Sequence, residues 1–149
     1  MGSDVAPQQS RSLTRVRVLL IEDERITREI VVRLLRSIGI KDIVECATAE
    51  DGWSHLMSKT EEPFHVVITD LTLPGASGAT FLKNLRALAS PRAKTFPAIV
   101  LTGSNDLETY KTVEGTGVSS YLIKPVSADL LRNAIERAVF PPRTTKAIA

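Results

Sequence analysis

Cysteine, aromatic residues and long apolar runs are all scarce in this chain. Cys46 is its single cysteine, so no disulfide can form within it and a disulfide-built scaffold is excluded. That usage fits a reducing, cytoplasmic setting. Aromatics are 5% of the 149 residues, so the core has to be aliphatic. The longest apolar runs, such as Val18-Leu19-Leu20-Ile21, are four residues, whereas a membrane-spanning helix needs about 20. The opening MGSDVAPQQSRS holds no apolar stretch of the kind a secretory signal carries. With 43% hydrophobic and 24% charged residues, the composition is that of an ordinary soluble domain, and the length suits one.

A large excess of one charge is missing too. The net charge is +2, but residues 1–15 contribute +1 and residues 141–149 contribute +2, which leaves −1 on 16–140. The basicity sits at the ends. A nucleic-acid-binding fold more often carries a basic face on its folded body, so direct nucleic-acid binding is not expected. Residues 1–14 are polar and 141–149 open on Pro141-Pro142. Both read as flexible tails around one domain at 15–140.

Within that body, branched apolar runs alternate with helical patterns. Val16–Ile21 is strand-like, and Ile26, Ile30, Leu34, Leu35 and Ile38 then recur at helical spacing up to Gly39. Ile43–Cys46 reads as a short strand. Thr48 is a plausible N-cap of a helix burying Trp53, Leu56 and Met57, which Gly52 weakens by about 1 kcal/mol relative to Ala. Val66–Thr69 is the third strand, and a helix burying Phe81, Leu82, Leu85 and Leu88 follows. Ala98–Leu101 is the fourth strand, before a weak helix at 105–114 with Leu107 and Val113 inward. Tyr121–Ile123 is the fifth, and Ser127 caps a last helix carrying Leu130, Leu131, Ala134, Ile135 and Ala138. Five β-α units with continuous apolar strands predict an α/β fold, a doubly wound parallel sheet covered on both faces. Right-handed crossovers put all strand carboxyl ends on one edge, where ligands bind.

At that edge stand Glu22-Asp23-Glu24, Asp70, Thr102 and Lys124-Pro125. Singly, each has an ordinary reading. Acidic residues after a strand are often solvated charges or helix caps, and Asp23 or Glu24 suits the cap of the first helix. Together they form a cluster that needs a cation. Two carboxylates about 4 Å apart repel by about 4 kcal/mol at an effective dielectric of about 20. Hard oxygen ligands with an open face suit Mg²⁺, which keeps waters and shares its shell with phosphate oxygens. A metal and Lys124 flanking one carboxylate make a site for a dianion, most simply a phosphoryl group on Asp70.

The runs Leu20-Ile21-Glu22-Asp23-Glu24, Asp70-Leu71-Thr72-Leu73-Pro74-Gly75-Ala76-Ser77-Gly78, Leu101-Thr102-Gly103 and Tyr121-Leu122-Ile123-Lys124-Pro125 resemble the receiver domain of two-component response regulators, of the chemotaxis-regulator kind. The resemblance spans about residues 15–140. It implies a flavodoxin-like (βα)5 sheet of order 2-1-3-4-5. It also implies that Asp70 is the phospho-acceptor and that Asp23 and Asp70 bind Mg²⁺ directly. Glu22, where many members have Asp, would act mainly through water, and Thr72 would lend its backbone carbonyl. Thr102 would hydrogen-bond the phosphoryl oxygen, Lys124 would pair with it, and Tyr121 would be the aromatic switch residue. Gly103 leaves room for an incoming donor, Thr72 and Ser104 occupy positions that tune acyl phosphate lifetime, and Lys124-Pro125 is a candidate cis bond.

The function this implies is a phosphorylation-controlled switch, not a classical enzyme. It would be charged by a histidine kinase or histidine phosphotransfer protein. It would signal to a downstream protein through the face of the fourth helix, fifth strand and fifth helix, as a monomer or weak homodimer. The nine residues from Pro141 to Ala149 are too few for an effector domain, which favours a stand-alone receiver over one cut from a larger regulator or hybrid kinase. Competing classes fit less well. An aspartate-nucleophile phosphohydrolase wants an acid two residues after the nucleophile, where Thr72 stands. A flavin-binding module would have its phosphate repelled by Glu22-Asp23-Glu24. A pseudo-receiver would lack acceptor-site residue types that are all present here.

Overall fold

Three short runs of branched and aliphatic residues make the centre of the sheet. In the computed structural model, which describes residues 12–103 and 107–141, β1 (Arg17–Ile21), β3 (Val66–Thr69) and β4 (Ala98–Thr102) are buried almost throughout. β2 (Asp42–Cys46) and β5 (Ser120–Ile123) form the less buried edges. All pairings are parallel and the order is 2-1-3-4-5, as expected. Alternation along each strand splits the core in two. Val18, Leu20, Ile68, Ile99 and Leu101 face α1 (Arg25–Ser37) and α6 (Ala128–Val139). Leu19, Ile21, Val67 and Val100 face α2 (Ala49–Leu56) and α3 (Gly78–Ala87). No helix among the described residues is long and apolar enough to cross a membrane.

Local chemistry starts the helices where the sequence places them. Thr48 accepts the Asp51 N–H at 3.1 Å, Ser77 that of Thr80 at 3.1 Å, and Ser127 that of Leu130 at 3.1 Å. Gly52 sits in α2 because packing requires it. A Cβ there would lie 2.4 Å from Ile21 Cδ1, so the missing side chain lets α2 approach β1.

Several expectations need correction. Among the described residues there are six helices, not five. α4 (Pro91–Thr95) begins at Ser90, whose hydroxyl accepts the Arg92 N–H, with Pro91 at its start. The helix expected fourth is therefore α5 (Leu107–Lys111), and the one expected fifth is α6. Ile26 and Ile30 are exposed, and so are Met57, Leu107 and Leu130. Helical spacing marks an apolar stripe without saying which stripe meets the sheet. In α1 it is Val31 and Leu35 that do, and Ile26 and Ile30 lie on the flank. Leu13, placed by its polar neighbours in the tail, is buried beside Val16. Residues 1–11, 104–106 and 142–149, with Ser104 among them, lie outside the described residues.

Candidate functional site

Strand register assembles the site. Ile21 pairs with Thr69, so the next residues, Glu22 and Asp70, leave adjacent strands side by side. This is where strand order reverses, with β1 between β2 and β3. Thr102 ends β4 opposite Ile123, and the Lys124 N–H donates to the Thr102 carbonyl at 2.8 Å. Lys124 therefore reaches back over the same edge. The Lys124-Pro125 peptide bond is cis.

Three carboxylates and one ammonium converge at this edge. Carboxylate oxygens of Glu22, Asp23 and Asp70 all lie within 4.8 Å of one another. Lys124 Nζ donates to Glu22 Oε1 at 2.6 Å and to Asp70 Oδ2 at 2.7 Å. Asp70 Oδ1 accepts the Thr72 N–H at 3.1 Å, and Glu22 Oε2 accepts the Glu24 N–H at 3.0 Å. Glu22 is 2% exposed and Thr102 1%, while Asp23 faces solvent. Burial pushes the Glu22 carboxyl above the usual range, although the Lys124 bond and charge oppose it. Burial pulls on Lys124 the other way, but its bonds to Asp70 and Glu22 prevail and hold the ammonium above the usual lysine value. Lys124 thus stays charged near neutral pH.

Glu24 belongs to the helix and not to the cluster. Its Oε1 accepts the Thr27 N–H at 2.8 Å and caps α1. Two residues that no motif marks also hold the site. Arg28 Nη1 donates to the Glu22 carbonyl at 2.8 Å, and its Nε lies 3.4 Å from Glu45 on β2. Glu50, in the first turn of α2, accepts the Ala76 N–H at 3.3 Å and lies against Gly75, whose φ is +76°. It steadies the loop between Asp70 and α3. Gly78 starts α3 so close to Asp70 that a Cβ would sit 2.0 Å from the Asp70 carbonyl oxygen. Gly103 is open, with nothing within 4 Å of a built Cβ. Tyr121 is not in the acid cluster. It lies on β5 within the α2–α3 side of the core, its ring 5.2 Å from that of Tyr110. Cys46 is buried and its thiol is pushed up to about 11 by burial, which removes it as a nucleophile or ligand near neutral pH.

Three acidic oxygen donors and one ammonium at the switch point of a doubly wound sheet define a receiver-type acidic pocket. Residues 18–136 match the family described as "Response regulator receiver domain", and the chain belongs to that family. Chemotaxis protein CheY-3 of Vibrio cholerae is 30% identical over 122 residues, 82% of this chain and 90% of that protein. The sensory/regulatory protein RpfC of Xanthomonas campestris is 30% identical over 140 residues, 90% of this chain but 19% of RpfC. A response regulator receiver domain protein from Clostridium thermocellum superposes with TM-score 0.73 at 27% identity, over 84% of this chain and 94% of that one. Such domains are regulatory phosphoacceptors in two-component signalling, and they bind Mg²⁺ at an acidic pocket.

Proposed function

We propose that this chain is a Mg²⁺-dependent phosphorylation switch whose acceptor is Asp70 and whose donor is the phosphohistidine of a histidine kinase or histidine phosphotransfer protein. The observation that carries this reading is Lys124 Nζ lying between Glu22 and Asp70 at 2.6 and 2.7 Å, with Asp23 completing the acid triad. One buried carboxylate is thereby flanked by a fixed cation and by hard oxygen donors.

The residues divide the chemistry. An Asp70 carboxylate oxygen attacks phosphorus. The P–N bond breaks, and its electron pair leaves with the donor imidazole. The product is a mixed anhydride, from which water later releases phosphate. Asp23, Asp70 and the Thr72 carbonyl would hold the metal directly. Glu22 would act through water, in keeping with its two oxygens already being held by Lys124 and the Glu24 N–H. Mg²⁺ held there supplies charge neutralisation for the transferring group. Lys124 exchanges its Asp70 contact for a phosphoryl oxygen. Thr102 turns its hydroxyl to the same group, and Tyr121 follows inward. The output face is α5, β5 and α6, where Leu107, Tyr110, Ile123 and Leu130 are exposed. A downstream protein docks there. Mass analysis after treatment with acetyl phosphate and Mg²⁺ should find one phosphoryl group on the Asp70 peptide, and none when EDTA is present from the start. Incorporation indifferent to EDTA would overturn the reading.

The donor face is suggested by an apolar cavity of about 290 Å³ that runs to Lys124 between Ile30 and Leu34 of α1 and the Pro125-Val126 turn. Its reach to Lys124, which bonds Asp70, makes it the seat for the apolar flank of the donor's histidine helix. Ile30→Glu should slow transfer from a protein donor by about tenfold or more, the scale of losing a central apolar contact. Transfer from acetyl phosphate, which needs no docking, should be unchanged in the same variant. Equal slowing with both donors would remove this face from the proposal.

A further inference from the structure

A second cavity lies on the opposite face of the sheet from the one beside Lys124. It measures about 270 Å³ and opens between α2 and α3, lined by Glu50 and Trp53 of α2, Ala76 of the loop after Asp70, and Thr80, Phe81 and Asn84 of α3. Trp53 and Phe81 meet edge to face, with centroids 5.5 Å apart and planes at 88°, a favoured geometry that fixes an aromatic wall. Phe81 is buried, Trp53 half-buried and Asn84 exposed, so the wall is reached from solvent. The charge at the mouth has one sign. Glu50 Oε2 accepts the Ala76 N–H at 3.3 Å, and Oε1 bonds nothing among the described residues. α2 carries Glu50 and Asp51 and no lysine or arginine, and neither Lys83 nor Arg86 of α3 lines the cavity.

We infer that this cavity is an anchor site for an arginine side chain presented by a partner protein. Three properties select that occupant. The volume falls below the roughly 300–1,000 Å³ of pockets that hold drug-sized ligands, so it suits one side chain. Aromatic rings beside a carboxylate with a spare oxygen suit a guanidinium, which stacks on rings, is weakly hydrated and forks to carboxylates. The apolar wall takes the methylene stem. A purely apolar anchor would cover the Glu50 carboxylate without pairing its free oxygen, which is costly. The site is separate from the Lys124 cavity and from the exposed residues of α5 and α6. Its occupant rests against Ala76 and so bears on the loop that leads from Asp70 to α3. It belongs to the resting chain and needs no phosphoryl transfer.

Trp53 is the single tryptophan of the chain, so its fluorescence reads the cavity directly. With the full chain, and without Mg²⁺ or a phosphoryl donor, N-acetyl-arginine amide should change that fluorescence along a saturating curve. The dissociation constant should be on the order of a few millimolar, the scale of one side chain held without its partner protein. N-acetyl-citrulline amide has nearly the same shape and no charge, and should bind at least about fivefold more weakly. Glu50→Gln keeps an oxygen for the Ala76 N–H but loses the charge. It should weaken the arginine probe by about 3- to 10-fold and leave the citrulline probe unmoved. The amide NMR signals of Ala76 and Asn84 should shift along the same curve as the fluorescence. A linear response, equal binding of the two probes, or undiminished arginine binding by Glu50→Gln would overturn the inference. Shifts gathered at Asp23 and Thr72 would overturn it too, by placing the guanidinium in the acidic pocket. Tighter binding of N-acetyl-leucine amide than of the arginine probe would do the same, by making the cavity an apolar anchor.

Discussion

Asp70→Asn should incorporate no measurable phosphoryl group from acetyl phosphate or from a phosphohistidine donor. An amide oxygen lacks the charge and basicity of the carboxylate nucleophile. Mg²⁺ affinity should fall as well, by at least about tenfold, since about 1.4 kcal/mol of attraction accounts for that factor and a charged oxygen donor is lost. The fold should survive. Asparagine has nearly the volume of aspartate, and its Oδ1 can still accept the Thr72 N–H. Lys124 keeps its 2.6 Å partner Glu22. Circular dichroism melting therefore separates loss of chemistry from loss of structure. Labelling of a folded Asp70→Asn protein at the wild-type level would place the acceptor elsewhere.

Gly78→Ala should damage both the fold and the site. The added methyl would lie 2.0 Å from the Asp70 carbonyl oxygen and 3.0 Å from both the Asp70 carbonyl carbon and Leu71 Cα. These are backbone atoms, so no rotamer change relieves the clash. Either α3 retreats from the sheet or the strand end carrying Asp70 shifts. Overpacking of this kind costs about 1–3 kcal/mol, which for a domain of this size lowers Tm by roughly 2–4 °C for each kcal/mol. Phosphoryl uptake should fall by more than the unfolded fraction explains, since misplacement by about 1 Å can cost about a hundredfold in rate. Gly103→Ala is the matched control. Nothing lies within 4 Å of its added Cβ, and stability should stay within about 0.5 kcal/mol of wild type. A Gly78→Ala protein with wild-type Tm and uptake would show that the Asp70 turn yields freely.

The fold was readable because its signals are local and repeated. Each strand is a short branched run, and each of Thr48 and Ser127 sits one residue before a helix. Glu22, Asp70, Thr102 and Lys124 could be grouped because the first, second and fourth directly follow a strand and Thr102 ends one. A parallel sheet brings such positions to one edge. What escaped was long-range or depended on burial. Arg28 reaches a carbonyl six residues away and Glu50 an amide 26 residues away, and neither contact leaves a pattern in sequence. Ile26 and Ile30 share their spacing with the buried stripe, and only packing shows them outside it. Gly52 read as a weakness because the close approach of Ile21 cannot be seen along the chain. The five-residue α4 is too short to show a period.

The pairing of Ile21 with Thr69 has a wider meaning. The acidic pocket is contributed by residues 102 positions apart, Glu22 and Lys124, and none of its pieces is complete within one β-α unit. An unfolded full-length chain carries every one of these side chains yet holds no pocket. Under the proposed acceptor chemistry, competence to be charged would therefore be a certificate of completed folding, and damaged copies would fall silent instead of sending a false message.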